Sequence, residues 1–548
     1  MTKVILNKKT VLSLLKKKLN DEELEEKATD LGTPIEELNH ESFVIEVLPN
    51  RPDLLSENGF SRALNSFLGF NLGLKEYKIN NSNETVIIEN SVKDVRPFTA
   101  CAIVKDLNLD NEKIKEIMQL QEKLHLTFGR NRKKLAIGIY PFEKIYTPIR
   151  YLALNPNKIK FKPLGSNILM NAEEILSKTE TGKTYAHLLD DKDKYPLFVD
   201  NKNNILSMPP IINSQDVGEV TLKTKDVFIE CSGFDFNVLN KCLNIIVTSL
   251  NEMGGKIYSI KLKYGKKIFI TPNLKPFEIK LNINNVNKLL GLNLKENEIK
   301  KFLERMGFNY NNKKVLVPCY RADIMHENDL IEDIAIAYGY ENFTPELPNI
   351  FTIWEEDKFE YFKNKISEFL IGLNLLEVNN YNISNEINEN KKMMLDNKLI
   401  LIENSLNIDY NCMRYNLIPS LLNNLKNNKH NEYPQRMFET GKTFTKGKNE
   451  TNINEKDKLG IVLCDNKVSF TEIKQILDSL FLNLKINYSI EEYKHPNFIE
   501  GRCGKILFNN KEIGFIGEIN PQILENFELE LPVAALELDL NELFQENK

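Results

Sequence analysis

The apolar positions of this chain change period several times, and each change marks an element. Residues 3–6 alternate like a strand, and behind Thr10, a predicted cap, Val11, Leu14, Leu15 and Leu19 recur at helical spacing. A second strand is expected over 43–48. It stops at PNRPD (49–53), whose two prolines bar ladder pairing. The run LLSENGFSRALNSFLGF (54–70) reads as a helix, and residues 1–78 together form an N-terminal α/β unit. From 79 to 275 the pattern is mixed. TACAIVKDL, KLAIGIY and DVFIEC predict strands, NEKIKEIMQLQEKLHL an amphipathic helix, and NVLNKCLNIIVTSLNEMGG a helix closed by paired glycines. Residues 276–350 form a small unit. Ile299, Phe302, Leu303 and Met306 share a helix face, Gly307 is the predicted C-cap, and a strand over 315–317 ends at Pro318. From 355 to 548, Phe359, Phe362, Ile366, Phe369 and Leu370 mark a helix. The runs KLGIVLC, CGKILF, EIGFIGEI and VAALELDL predict an antiparallel sheet, and Ser469 to Glu472 has capping-box spacing. No internal repeat is evident. The expected fold class is a multidomain chain of α/β and α+β units.

Composition narrows the function. The 548 residues carry a net charge of −5, so no global basic field draws the chain onto nucleic acid and any such contact needs local patches. Seven scattered cysteines with no CxxC pair point away from a disulfide framework or structural zinc and toward a reducing cytosol. The N-terminus has no signal-peptide pattern, and no run reaches the roughly 20 apolar residues of a membrane span.

Candidate chemistry concentrates after Pro318. Over an expected helix at 329–338, Asp329, Glu332 and Asp333 fall at i, i+3, i+4 on one face, with Ile331, Ile334, Ala335 and Tyr338 on another. Asp323, upstream of the helix, is expected to fold back onto the acidic face. Such carboxylates repel one another. The helix N-terminus offsets part of this, and a hard cation such as Mg²⁺ offsets more. Spacing alone leaves both readings open: an acidic first turn, or a metal site. Two GKT triplets, at 182–184 and 441–443, lack the leading glycine of a phosphate loop and are set aside. The runs FGRNRKKL (128–135) and KLKYGKK (261–267) are local basic patches able to meet phosphates.

PNRPDLLSENGFSRAL, followed far downstream by VPCYRADIMHENDLIEDIAIAYGYENF, resembles the β subunit of phenylalanine–tRNA ligase of the archaeal and eukaryotic branch. ILSMPPIINSQ, MRYNLIPSLLNNL, RMFETGKTF and IGFIGEINP match in the same order. The resemblance implies Mg²⁺ on Asp323, Asp329, Glu332 and Asp333, the last departing from the family's Glu, within a winged-helix-like unit. It also implies an editing-type, tRNA-binding domain in the second block that hydrolyses tRNA mischarged with tyrosine. Its candidate residues are Asn213, Ser214, Glu230 and Asp235, with Ser214 on the ester or a water and Asp235 on the ammonium group. The C-terminal domain resembles a class II synthetase catalytic fold without its active site. Arg436 and Glu439 echo an ATP-holding motif, but Glu518 stands in a segment that should end in arginine. The implied partners are tRNA(Phe) and a catalytic α subunit, which would bind ATP, in a cytoplasmic (αβ)₂ tetramer with no membrane.

Overall fold

The computed structural model describes residues 2–348 and 354–546. The boundary expected at 350 and the chain end at 548 fall outside that set. The chain divides into two units, Met1–Leu347 and Pro348–Lys548.

In the first unit, a ten-stranded sheet carries the middle of the chain, flanked in sequence by two three-stranded sheets. The three expected central strands are among its ten, at Phe98–Lys105, Leu135–Pro141 and Val227–Gly233, and the last of these is buried along its whole length. Helices Asn111–Leu126 and Phe236–Glu252 lie where the pattern placed them. One apolar core runs from Val4 through Leu120 and Ile246 to Ile334, so the N-terminal, central and 276–347 segments share it.

The two small sheets are copies of one plan, which corrects the expectation of no repeat. Thr2–Asn7, Ile35–Leu38 and Ser42–Val47 pair in the order first–third–second, as do Phe277–Lys280, Asn309–Asn311 and Lys314–Val317. In each copy two helices follow the first strand and a further helix follows the third. The detail repeats too. Asn7, not Thr10, caps Lys8–Leu14, and Asn282 caps Ile283–Leu290. The backbone N–H of Asn7 donates to Glu57 at 3.1 Å, and that of Asn282 to Glu327 at 3.2 Å. Arg51 forks onto Asp53 at 2.9 and 2.9 Å, and Arg321 onto Asp323 at 2.9 and 2.6 Å. Each final helix ends at a glycine with positive φ, Gly69 at +89° and Gly339 at +97°, a conformation side chains resist.

The second unit holds the expected sheet. Its seven strands run Leu376–Glu377, Gln435–Lys446, Ile453–Cys464, Val533–Asp539, Lys511–Ile519, Phe498–Phe508 and Ser489–Glu492. All neighbours are antiparallel except the first pair. The capping box at Ser469 does not form. Helix Phe470–Leu484 is capped from outside instead, by the Glu518 carboxylate accepting from the Phe470 N–H at 2.8 Å.

The helix Asn111–Leu126 is tied to the first repeat through an acid. Glu116 is buried and accepts from the backbone and side-chain N–H groups of Asn58 at 2.9 and 3.0 Å. Burial, then the charge of Glu57, pushes its carboxyl up to about 7. A carboxyl with a raised folded pKa binds its proton more tightly in the folded state. Its stabilising share is therefore full below the unfolded value of about 4.5 and lost as pH rises toward about 7. Glu116→Gln is expected to flatten the loss of stability between roughly pH 5 and 8, an effect on the order of 3 kcal/mol, read by urea unfolding at stepped pH.

Candidate functional site

Two cavities meet on the face of the large sheet beside helix Asn111–Leu126. The outer one, about 750 Å³, is walled by apolar groups such as Ile114, Ile117 and Val220. The inner one, about 130 Å³, lies beneath the Pro209–Pro210 turn and has Glu230 in its lining. Gln121, Arg132, Leu164 and Asn213 line both and form the neck between them.

Glu230 sits on strand Val227–Gly233, opposite Gly138 and Cys101, and is 1% exposed. The Tyr140 hydroxyl lies 3.1 Å from Glu230 Oε1 and 2.8 Å from the Ser207 hydroxyl, and Oε2 has no protein partner among the described residues. Gly138 makes this approach possible. A Cβ there would lie 1.9 Å from the Tyr140 oxygen and 2.7 Å from Glu230 Oε1. Burial pushes the Glu230 carboxyl up to about 8, against the opposing effects of Tyr140, Arg96 and Ser232. At neutral pH it is mostly protonated, a neutral group that both donates and accepts. The Thr181 hydroxyl, also in the lining, has no protein partner among the described residues either. His125 is held neutral: burial pushes it down to about 4, and its Nε2 accepts from the Ile137 N–H at 2.8 Å.

The sequence candidates separate here. Asn213 and Glu230 come together on the inner cavity. Ser214 is buried and caps Gln215–Gly218, its hydroxyl accepting from the Val217 N–H at 3.4 Å. Asp235 is exposed and caps Phe236–Glu252, accepting from the N–H groups of Asn237 and Val238 at 2.8 and 3.2 Å. Neither lines either cavity. Both are small polar residues just ahead of a helix, where capping is the commoner use. Arg132, read as part of a basic patch, instead pins the roof. It donates to the carbonyls of Pro210 and Ile211 at 3.2 and 2.9 Å and lies over the Tyr185 ring. Nothing in the local sequence of Tyr140, Ser207 or Thr181 marks them as site residues. Packing between distant elements brings Tyr140 to Glu230 and Ser207, and sets Thr181, from helix Glu180–Tyr185, in the same lining as Glu230.

The acidic cluster after Pro318 is also rearranged. Asp323 and Asp333 both meet Arg321, at 2.6 and 2.7 Å, and all three side chains are at most 8% exposed. Asp333 therefore faces the core beside Ile334 rather than the expected acidic face, and burial raises its pKa despite the arginine. Asp329 accepts from the backbone N–H groups of Met325 and His326 at 2.8 Å each, and Glu332 is exposed. Among the described residues no group of three or more acidic, His or Cys side chains converges to hold a metal. A four-carboxylate Mg²⁺ cage does not fit, because a guanidinium already occupies two of its donors. Asp329 and Glu332, one turn apart, pair with no arginine among the described residues.

In the second unit several charged side chains pair within the protein, and Lys456, Lys458, Glu537 and Asp539 line a cavity of about 280 Å³. Arg436 points to solvent, while Glu439 is buried against Arg414 at 2.6 Å. Lys458 pairs with Glu537 at 2.7 Å, Lys456 with Asp539 at 2.6 Å, and Glu518 with Arg502 at 2.6 Å. The two GKT triplets lie in a short helix, Glu180–Tyr185, and in strand Gln435–Lys446, not in a loop that could cradle phosphate.

Comparisons with known proteins identify related chains. Residues 279–340 match the family model described as the tRNA synthetase B5 domain, and 345–540 match the phenylalanyl tRNA synthetase beta chain CLM domain. The phenylalanine–tRNA ligase beta subunit of Pyrococcus abyssi is 44% identical over 502 residues, covering 90% of each chain. That of Methanococcus aeolicus is 38% identical over 561 residues, covering 98% of this chain and 100% of its own. The crystal structure of an N-terminal fragment of the Pyrococcus horikoshii phenylalanyl-tRNA synthetase beta subunit superimposes with a TM-score of 0.59 at 40% identity. It covers 62% of this chain and 99% of the fragment. A chain with these matches is part of an aminoacyl-tRNA ligase. It belongs to the phenylalanine–tRNA ligase beta subunit family. No helix among the described residues is long and apolar enough to cross a membrane.

Proposed function

We propose that this chain is the non-catalytic subunit of an (αβ)₂ phenylalanine–tRNA ligase and removes tyrosine from mischarged tRNA(Phe) in the Glu230 cavity. The α subunit would bind ATP and phenylalanine and carry out charging; this chain would supply assembly, tRNA contacts and editing. The internal pairing of Glu439, Lys456, Lys458 and Glu518 supports that division of labour. The seven cysteines, all reduced and buried, suit a cytoplasmic protein.

The editing reading rests on one observation: a buried, mostly neutral carboxyl with an unpartnered oxygen on the inner cavity. A phenylalanine pocket rejects an added hydroxyl poorly, so discrimination needs a second site that pairs with the hydroxyl. Glu230 can accept from a tyrosine phenol or donate to it. A phenylalanine ring would leave the same oxygen unpaired, at a cost of about 1–3 kcal/mol. With the side chain seated there, the ester would lie at the neck. Asn213 and Gln121 offer amides for the attacking water, and the Arg132 Nε–H, without a protein acceptor among the described residues, suits the oxygen that gains charge. The test is hydrolysis by the purified α–β complex. Tyrosyl-tRNA(Phe) should be cleaved far faster than phenylalanyl-tRNA(Phe), whereas equal, background rates would reduce this chain to a scaffold.

For Mg²⁺ the proposal narrows to Asp329 and Glu332. An ion that keeps most of its waters needs only one or two carboxylates. Calorimetric titration of Mg²⁺ into the complex should lose its heat in the Asp329→Ala, Glu332→Ala double variant. An unchanged titration would remove the ion from this helix.

A further inference from the structure

The two basic runs lie more than a hundred residues apart in sequence, yet the large sheet brings them to one end. Strand Leu135–Pro141 begins opposite Gly233, and Gly233 lies opposite Phe98 on the next strand. The turn between Lys256–Tyr264 and Lys267–Thr271 leans over the same place, because the Tyr264 hydroxyl accepts from the Thr99 N–H at 2.8 Å and reaches the Thr99 carbonyl at 3.1 Å. At about 4.8 Å per strand, the runs stand roughly 15 Å apart across this edge. Arg130, Lys133 and Lys134 are exposed on one side, and Lys263, Lys266 and Lys267 on the other. Arg96 bridges beneath, donating to the carbonyls of Arg132 and Ser232 at 3.3 and 2.9 Å.

Aromatic rings fill the interval. Phe98 touches Phe236 and Tyr264, with centroids 6.3 and 6.4 Å apart, and Phe269 packs on the same two rings at 5.2 and 5.6 Å. This cluster is not sealed as a core would be: Phe98 is 36% exposed, Phe269 40%, and Phe234, lying over Arg96, 51%. Such exposure of large apolar side chains is costly unless something covers them. Rings flanked by cations suit bases with phosphates on either side, because every base has a face to stack and the backbone charge is met at the rims.

We propose that this sheet end binds a single-stranded segment of the substrate tRNA, stacking bases on Phe98, Phe234 and Phe269 between the two lysine-rich rims. The inference rests on the proposed role of the chain in handling tRNA, and goes beyond it by naming the surface. It also accounts for a chain of net negative charge binding an anion, since the cations are gathered at one edge.

The test is fluorescence anisotropy of the α–β complex with tRNA(Phe) transcript and with a short uridine oligonucleotide. Phe98→Ala with Phe269→Ala should weaken binding of both by at least tenfold, at a melting temperature checked to be near wild type. Lys266→Glu with Lys267→Glu, at exposed positions that do not threaten folding, should lower the slope of log affinity against log salt by about 1.4. If both variants bind both probes like wild type, the surface is wrong while the tRNA reading stands. If the wild-type complex itself binds no tRNA, that reading fails first. If the lysine variant instead loses a protein subunit at unchanged salt slope, the patch is a polypeptide interface and the inference is overturned.

Discussion

Arg321→Met is expected to destabilise the Met1–Leu347 unit by about 3–5 kcal/mol, a large share of the net stability of an ordinary domain. The side chain is 2% exposed and serves two carboxylates at once, Asp323 by a two-pronged fork and Asp333 at 2.7 Å. Removing it leaves the buried Asp333 and the largely covered Asp323 without their fork, with only the neighbouring Arg51 charge to offset them. Lysine should rescue little, because a single ammonium cannot reproduce the fork. Adding Asp323→Asn and Asp333→Asn to Arg321→Met should recover much of the loss, since the stranded charges are then gone and the effects of contacting groups do not add. Urea unfolding of the four proteins checks this. A near-neutral Arg321→Met would mean that the cluster's charge is balanced elsewhere, as a bound divalent ion would do.

Glu230→Ala is expected to cut tyrosyl-tRNA(Phe) hydrolysis by about a hundredfold or more while leaving phenylalanine charging unchanged, since sites built to pair a substrate hydroxyl discriminate by large factors. In the proposed arrangement the carboxyl would pair with the phenol and not with the ester, so the loss should fall on tyrosine. Any residual cleavage of phenylalanyl-tRNA should be untouched. Glu230→Gln keeps a donor and an acceptor and should retain a substantial part of the activity. As pH rises past about 8 the carboxyl ionises and becomes an acceptor only, so wild-type hydrolysis should fall if the phenol accepts from Glu230 and hold or rise if the phenol donates to it. An ionised Glu230, buried away from water, also costs folding stability, so the profile is to be read on protein shown to remain folded. Equal loss for both aminoacyl groups would make Glu230 a structural residue of the sheet.

How much of the molecule is legible in the sequence depends on the distance over which each feature is encoded. Helices Asn111–Leu126 and Phe236–Glu252 and the strands of the second unit are readable because their apolar period is local. The family resemblance comes from the order of short motifs. The duplication is written in the sequence too, but only the structure shows where to align it. Set on Arg51 and Arg321, the pairs Asp53 and Asp323, Glu57 and Glu327, Asn58 and Asn328, and Gly69 and Gly339 coincide. The same alignment sets Gly59, Arg62 and Ala63 against Asp329, Glu332 and Asp333. Of the four metal candidates only Asp323 has a matching acid, Asp53, in the other copy, which marks the arginine–aspartate clip as part of the repeat's architecture. Helical spacing puts Asp333 on an acidic face, and it cannot register that Arg321, twelve residues upstream, claims it inside the core. In the cavity, Asn213 and Glu230 are reachable by motif. Tyr140, Ser207 and Thr181 are not, because packing between strands and a helix tens of residues apart decides which side chains meet.

The most direct measurement is a crystal structure of the α–β complex with a non-hydrolysable 3′-tyrosylamido-adenosine. The phenol is predicted to lie within hydrogen-bond distance of Glu230, under the Pro209–Pro210 turn, with the amide at the Asn213 neck and the adenine against the apolar wall of the outer cavity. Clear density for the analogue elsewhere, with both cavities holding only solvent, would contradict the account.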